Sequence, residues 1–345
     1  MSVTTTEPLV AGLPAQEVLA RARTMVEPVL RVSVDSLGEP LRRMAGYHLG
    51  WWDATGTPVS RESGRALRPA LTLGAAAACG GVPADAVPAA AAIELLHSFS
   101  LVHNEVMDAD PLRRGRRTVW SVWGITNAIL LGDALQAQSV EVLSTRLPGH
   151  LAVEAITRLQ TTALDLCRGQ YADCAFENQS RVSIDDYVSM AAAKTGSLMA
   201  CAGALGALCV GAHTHTVSAM EIYGRELGLA FQFVDEVIGI YGDPAISGTP
   251  VGNDLRDRKK TLPVIAALES GTDAGVELAA LFETIEPLTA EQVTRAAVLV
   301  EQAGGLLLTL RYAHERLAAA MAALPADADT GDLEQLALLV TERDR

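Results

Sequence analysis

AAIELLHSFSLVHNEVMDADPLRRG, residues 91–115, is an apolar run that turns acidic over its last turns and then meets arginines. Residues three or four apart on a helix share a face, so Glu105 and Asp108 point together and Asn104 stands one turn before Asp108. Oxygen ligands crowded on one face suit a hard divalent cation such as magnesium, which takes a few carboxylates and completes its shell with water and phosphate oxygens. Arg113 and Arg114 add forked donors for that phosphate. One helix end thus offers both halves of a metal–diphosphate site. Taken alone, it also reads as an ordinary solvated terminus of mixed charge.

A second acidic helix shifts that balance. In Glu221–Tyr241, EIYGRELGLAFQFVDEVIGIY, an apolar stripe of Leu227, Ala230, Val234, Val237 and Ile238 leaves Gln232, Asp235, Glu236 and Gly239 toward the other side. A Gly-rich loop with basic residues, GDPAISGTPVGNDLRDRKKTLP, follows it. The chain uses the same device twice.

The blocks GRALRP, HSFSLVHNEVMDADPLRRGRRT, ILLGDAL, RGQYADCAFE, AAKTG, LGLAFQFVDEVIG with GDP, and DLRDRKKTLP occur in this order between Gly64 and Pro263. Together they resemble the trans-polyprenyl diphosphate synthases. The resemblance implies an all-α bundle in which two aspartate-rich motifs face each other across a deep cavity. It also implies that Mg2+ held by both motifs binds an allylic diphosphate, whose allylic cation is attacked by isopentenyl diphosphate. Carried over position by position, Asn104, Glu105 and Asp108 form the first metal motif, and Asp235 and Glu236 the second. Arg65, Arg68, His97 and Arg114 match the isopentenyl diphosphate end. Arg113, Lys194, Thr195, Gln232, Lys259 and Lys260 match the groups around the allylic diphosphate, with Asp254 in the closing loop and Gln170 near the metals. Lys194, Asp235 and Arg113 are the candidate catalytic residues. Phe99, five residues before the acidic motif, is the candidate cavity floor, and a large ring there implies a short product of about C15 to C20.

The residues alone allow plainer readings at several of these positions. Arg65 and Arg68 fit a basic first turn, His97 a hydrogen-bonded core histidine, Phe99 ordinary core packing, and Asp173 a polar link between helices. Lys194 is different, because a lysine amid AAAKTGSLMA is costly to bury without an anion. Asn104 stands where the family has an aspartate, and a neutral amide is a weaker magnesium ligand. Asp110 is a partial replacement. Gly239 stands where the family has the last aspartate of the second motif, Arg65 where it has lysine, and Thr249 where a lysine touches the diphosphate. These departures motivate two alternatives: a class I terpene synthase or irregular prenyltransferase on the same fold, and a non-catalytic subunit that regulates an active homologue.

Composition sets the outer bounds. The 345 residues exceed a usual single domain, yet no linker divides them, so residues 15–345 read as one helical domain after a loose tail of residues 1–14. A hydrophobic content of 49% with only 4% aromatic residues predicts close-packed, alanine-rich helices. The net charge of -14 argues against nucleic acid, whose binders carry a basic footprint. Cys79, Cys167, Cys174, Cys201 and Cys209 show no paired metal spacing and read as reduced residues of a cytoplasmic protein. The most apolar run, Leu198 to Ala212, falls short of the roughly 20 residues that span a bilayer, so no membrane span is expected. The helices after Pro263 complete the bundle or support a homodimer.

Overall fold

Small side chains decide how this bundle packs. In the computed structural model, residues 13–59, 66–113, 115–177, 179, 181–242, 252–283 and 287–341 are described. The sequence assignments at Arg65, Arg114 and Thr249 lie outside them. The chain runs α1 (Ala15–Ser36), α2 (Leu41–His48), α3 (Leu67–Ala78) and α4 (Val87–Met107). A short hairpin of β1 (Leu112–Arg113) and β2 (Arg116–Arg117) leads to α5 (Val119–Trp123), α6 (Ile125–Arg146), α7 (Gly149–Glu177) and α8 (Ile184–Ala191). A π-helical turn, Ala192–Gly196, joins α8 to α9 (Ser197–Cys209), and α10 (Thr214–Tyr241) follows. Then come α11 (Asn253–Arg256), α12 (Leu262–Glu269), α13 (Asp273–Phe282), α14 (Ala290–Gln302), α15 (Gly305–Ala323) and α16 (Gly331–Thr341).

The all-α expectation holds. Helix α4 lies in the middle, with Ala89 to Ala92 and Ile93 fully buried. Four successive alanines let neighbouring backbones approach on every side, which a leucine-lined helix could not allow. A second apolar cluster around Leu255, Val264, Leu278 and Leu299 buttresses the C-terminal end of α10 through Ile240.

Helix boundaries follow local chemistry. Ser183 caps α8: its hydroxyl accepts from the Asp186 amide at 3.1 Å, while the Asp186 carboxylate accepts from the Ser183 amide at 3.4 Å. Gly38 and Pro40 separate α1, which ends at Ser36, from α2, which starts at Leu41. Likewise α14 and α15 meet at 62° around Gly304. Apolar length was underestimated from the sequence, because α8, the π turn and α9 run on as Ile184–Cys209, 26 residues. By length and composition this stretch and Pro83–Met107 could each cross a membrane. In the bundle, 78% and 61% of their most apolar windows are buried against neighbouring helices.

Candidate active site

Helix α4 presents Glu94, His97, Leu101, Glu105 and Asp108 to a cavity of about 2520 Å³. Their spacing of three to four residues is one face of the helix. The Asp108 amide closes the last turn on the Asn104 carbonyl at 2.8 Å. Its carboxylate accepts from Gln170 Nε2 of α7 at 3.1 Å, so a buried glutamine holds it in place. Glu105 is only 3% exposed and lies 3.7 Å from Arg113 Nε. The Asp110 backbone carbonyl accepts from Thr118 Oγ1 and Trp120 Nε1, both at 2.8 Å. That turn puts Asp110 on the cavity wall, where burial and the neighbouring Asp108 charge raise its carboxyl above the usual range. Asn104 is not among the side chains lining the cavity.

Asp235 of α10 lines the same cavity as Asp108. Its neighbour does not. Glu236 is 4% exposed, and Tyr187 Oη and Gln232 Nε2 (3.0 Å) both donate to its Oε1. The Leu262 amide donates to Oε2 at 2.8 Å. Burial pushes this carboxyl well above its ordinary value, with the Leu262 N–H working the other way. The assignment of Glu236 as a metal ligand is therefore corrected: its oxygens are taken up by protein donors in the interior, and it fixes α10 against α8 and α12. Gln232 is held from both ends, accepting from Thr195 Oγ1 at 2.8 Å and donating to Glu236.

Gly239 gains a reason. A Cβ there would sit 3.3 Å from Asp254 Oδ2, and the Gly252 amide donates to the Gly239 carbonyl at 2.9 Å. The missing side chain thus admits α11, and the Asp254 carboxylate fills the space beside α10. Burial raises the Asp254 carboxyl, with Lys259 opposing.

The cationic side is built by α7 and the π turn. A Cβ on Gly169 would come within 2.4 Å of the Lys194 amide nitrogen, so the two backbones touch at this glycine. One turn further along α7, Asp173 accepts from Lys194 Nζ and lies 3.9 Å from Lys259 Nζ. Burial works to lower the Lys259 ammonium, but Asp173, Asp254, Asp108 and Glu236 outweigh it and hold the group above the usual lysine value. The adjacent Lys260 lines the same cavity, but its ammonium is held by the carbonyls of Phe176, at 2.6 Å, and Gln179, where α7 ends. Of the two lysines, Lys259 is the one set among carboxylates.

At the other end of the cavity, Arg68 Nη1 lies 3.0 Å from His97 Nε2. A guanidinium can only donate, so Nε2 accepts and the ring proton sits on Nδ1. Phe99 does not face this cavity. Its ring is 8% exposed and meets His103 edge-on at 4.8 Å, and His103 in turn packs on α6 through the Ile129 carbonyl at 3.0 Å. The floor assignment is corrected to packing between α4 and α6, because the helix turns that side chain off the lining face.

The donor set fits magnesium. Asp108, Asp110, Asp235 and Asp254 line one cavity and offer oxygen only. Among the described residues, no three acidic, histidine or cysteine side chains converge into a cage. Tyr187 was missed from the sequence, since a tyrosine on an amphipathic helix looks like core.

With an all-α bundle, two acidic helices and a cationic wall around one cavity, the chain belongs to the polyprenyl synthetase family, whose model matches residues 51–300. It is 52% identical over 326 residues to the geranylgeranyl diphosphate synthase of Mycobacterium tuberculosis, covering 94% of this chain and 93% of that one. It is 44% identical over 291 residues to the (2E,6E)-farnesyl diphosphate synthase of Mycobacterium bovis, covering 84% and 81%. Among solved structures, the polyprenyl synthetase from Streptomyces coelicolor A3(2) superposes with a TM-score of 0.90 at 40% identity, covering 96% of this chain and all of that one.

Proposed function

We propose that this chain is a short-chain prenyl diphosphate synthase that joins an allylic diphosphate to isopentenyl diphosphate and releases a product of C15–C20. The observation that carries this reading is the single cavity bounded by Asp108, Asp235 and Lys259 that also reaches Arg68 and His97. An ionising end and an acceptor end in one space serve a coupling reaction. The relatives that supply the product range are named geranylgeranyl and farnesyl diphosphate synthases.

Asp108 and Asp235 would hold Mg2+, with Asp110 and Asp254 beside them. When bound, Mg2+ supplies Lewis-acid neutralisation of the diphosphate leaving group. Lys194 and Lys259 add fixed positive charge where negative charge builds on the leaving oxygens, and Arg113 is a contact for the diphosphate. Gln170 keeps Asp108 pointed inward, and Asp173 holds the two lysines near each other until an anion competes for them. The apolar walls around Leu101 and Phe231 keep water from the allylic cation. Arg68 and His97 hold the acceptor diphosphate, so the double bond meets the cation from a fixed direction. The released diphosphate takes the C2 proton, and no protein base is needed.

A terpene cyclase has no use for the Arg68–His97 pair, which weighs against that alternative. The non-catalytic alternative leans on Asn104, yet Asp108, Asp110, Asp235 and Asp254 still offer carboxylates to the cavity. Incubating the protein with Mg2+ and allylic diphosphates of each length, with and without isopentenyl diphosphate, tests all three readings by mass spectrometry. Elongation only with isopentenyl diphosphate supports the synthase; hydrocarbon without it supports the cyclase; no turnover alone but stimulation of a homologue supports the subunit. The assembly is read as a homodimer, because exposed apolar side chains gather on the neighbouring helices α6 (Ile125, Ile129, Leu130) and α7 (Val153, Leu164, Tyr171).

A further inference from the structure

The hairpin that carries Arg113 is too small to hold its own shape. Each strand has two residues, and a two-stranded hairpin is marginal even when long. Its register pairs Arg113 directly with Arg116. Opposite residues project to one face, and like charges there are destabilising. Left alone, the two guanidiniums would push each other apart and Arg113 would have no fixed direction.

Tyr47 removes that conflict. The Arg116 guanidinium stacks over the Tyr47 ring at 4.2 Å and donates to the carbonyls of Tyr47 (3.1 Å) and Trp52 (3.3 Å). Its charge is thereby drawn to the α2 side, while Arg113 remains within 3.7 Å of Glu105. The Tyr47 hydroxyl donates to the Arg117 carbonyl at 2.7 Å, which fixes the outgoing strand. Tyr47 itself is rigidly seated, 8% exposed and edge-on to Trp123 at 4.9 Å. The Trp52 carbonyl is equally fixed, because its indole nitrogen donates to the Arg43 carbonyl at 2.7 Å. The carbonyls of Tyr47 and Trp52 therefore converge on this arginine and hold its guanidinium at the α2 side of the cavity that Arg113 also lines.

We propose that Tyr47, acting through Arg116, is a positioning residue that sets the direction from which Arg113 meets a diphosphate. This rests on Arg113 being a diphosphate contact, as proposed above. The clamp should act on binding more than on the chemical step, because it fixes a charge felt by substrate and transition state alike.

The test is a set of variants in the full chain: Tyr47→Phe, Tyr47→Leu, Arg116→Lys, Arg113→Ala and the double variant Tyr47→Leu/Arg113→Ala. Affinity for inorganic pyrophosphate in the presence of Mg2+ is read by calorimetry, and KM and kcat are read with both diphosphate substrates. Tyr47→Leu and Arg116→Lys should weaken pyrophosphate binding and raise KM by about tenfold, with kcat held within about twofold. Tyr47→Phe, which keeps the ring under Arg116, should lose about threefold or less and so rescue most of the effect. In the Arg113→Ala background, Tyr47→Leu should cost nothing more, since there is no guanidinium left to aim. Equal losses from Tyr47→Leu with and without Arg113 would overturn the clamp, as would unchanged affinity in both Tyr47→Leu and Arg116→Lys. If Arg113→Ala itself leaves pyrophosphate affinity unchanged, the site assignment fails and the clamp falls with it. Should Tyr47→Leu not fold, Arg116→Lys and Tyr47→Phe carry the comparison.

Discussion

Lys259 and Lys260 are chemically identical neighbours with different surroundings. Lys259 stands among four carboxylates, whereas Lys260 closes the carbonyl end of α7. Lys259→Met should lower kcat/KM by about 10²–10³-fold, as expected when one fixed charge is taken from a leaving group. Lys260→Met should instead cost about 1–2 kcal/mol of stability, seen as a lower urea midpoint, with diphosphate affinity nearly unchanged. Gln170→Ala, which frees Asp108 from the amide that holds its carboxylate, should raise the Mg2+ concentration needed for half-maximal rate by about 10–100-fold. Phe99→Ala should cost about 3–5 kcal/mol through the void it leaves beside His103. A longer product at unchanged stability would instead restore Phe99 as the floor. At this scale the sequence was half legible. It singled out Asp108 and Asp235, which line the cavity, and Lys194, which donates to Asp173, because charges on apolar helices demand a reason. It could not separate Asp235 from Glu236, since the difference lies in donors supplied by Tyr187 and Leu262 from other helices.

The contact between α7 and the π turn is the element that positions the cationic wall. An added methyl at Gly169 would start 2.4 Å from the Lys194 nitrogen, so the helices must part. Gly169→Ala should cost about 1–3 kcal/mol from overpacking and weaken allylic diphosphate binding, both readable on one purified variant by thermal melting and calorimetry. A π turn carries an extra residue within an otherwise regular helix, and such turns cluster at functional sites. Nothing in AAKTG announces it. The two acidic helices were legible from apolar spacing, and both are found, as α4 and α10. Breaks were less so, since the apolar run read from Leu198 begins inside a longer stretch that α8 and the π turn start at Ile184.

For the whole molecule, thiol chemistry reports packing and assembly together. Burial pushes the Cys201 and Cys209 thiols up to about 12, so at pH 8 neither should react with a disulfide reagent until the chain unfolds. Cys167 is exposed and lies on α7 between Leu164 and Tyr171. If α6 and α7 form the dimer face, Cys167 should react quickly only at concentrations where sedimentation shows monomer, and Leu164→Glu should expose it at all concentrations. The overall architecture was the most legible part of the sequence, because the ordered blocks from GRALRP to DLRDRKKTLP resemble a family whose fold is an all-α bundle around one cavity. The arrangement of the closing segment was not. Lys259, Lys260 and Leu262 reach Asp173, the α7 carbonyls and Glu236 in turn, so three positions in a four-residue stretch tie α12 to α7 and α10. Lengthening that stretch by a single residue between Lys260 and Leu262 would unfasten the far side of the cavity while every ligand kept its identity. An enzyme altered there would keep its full complement of reactive groups and lose only their agreement about where to stand.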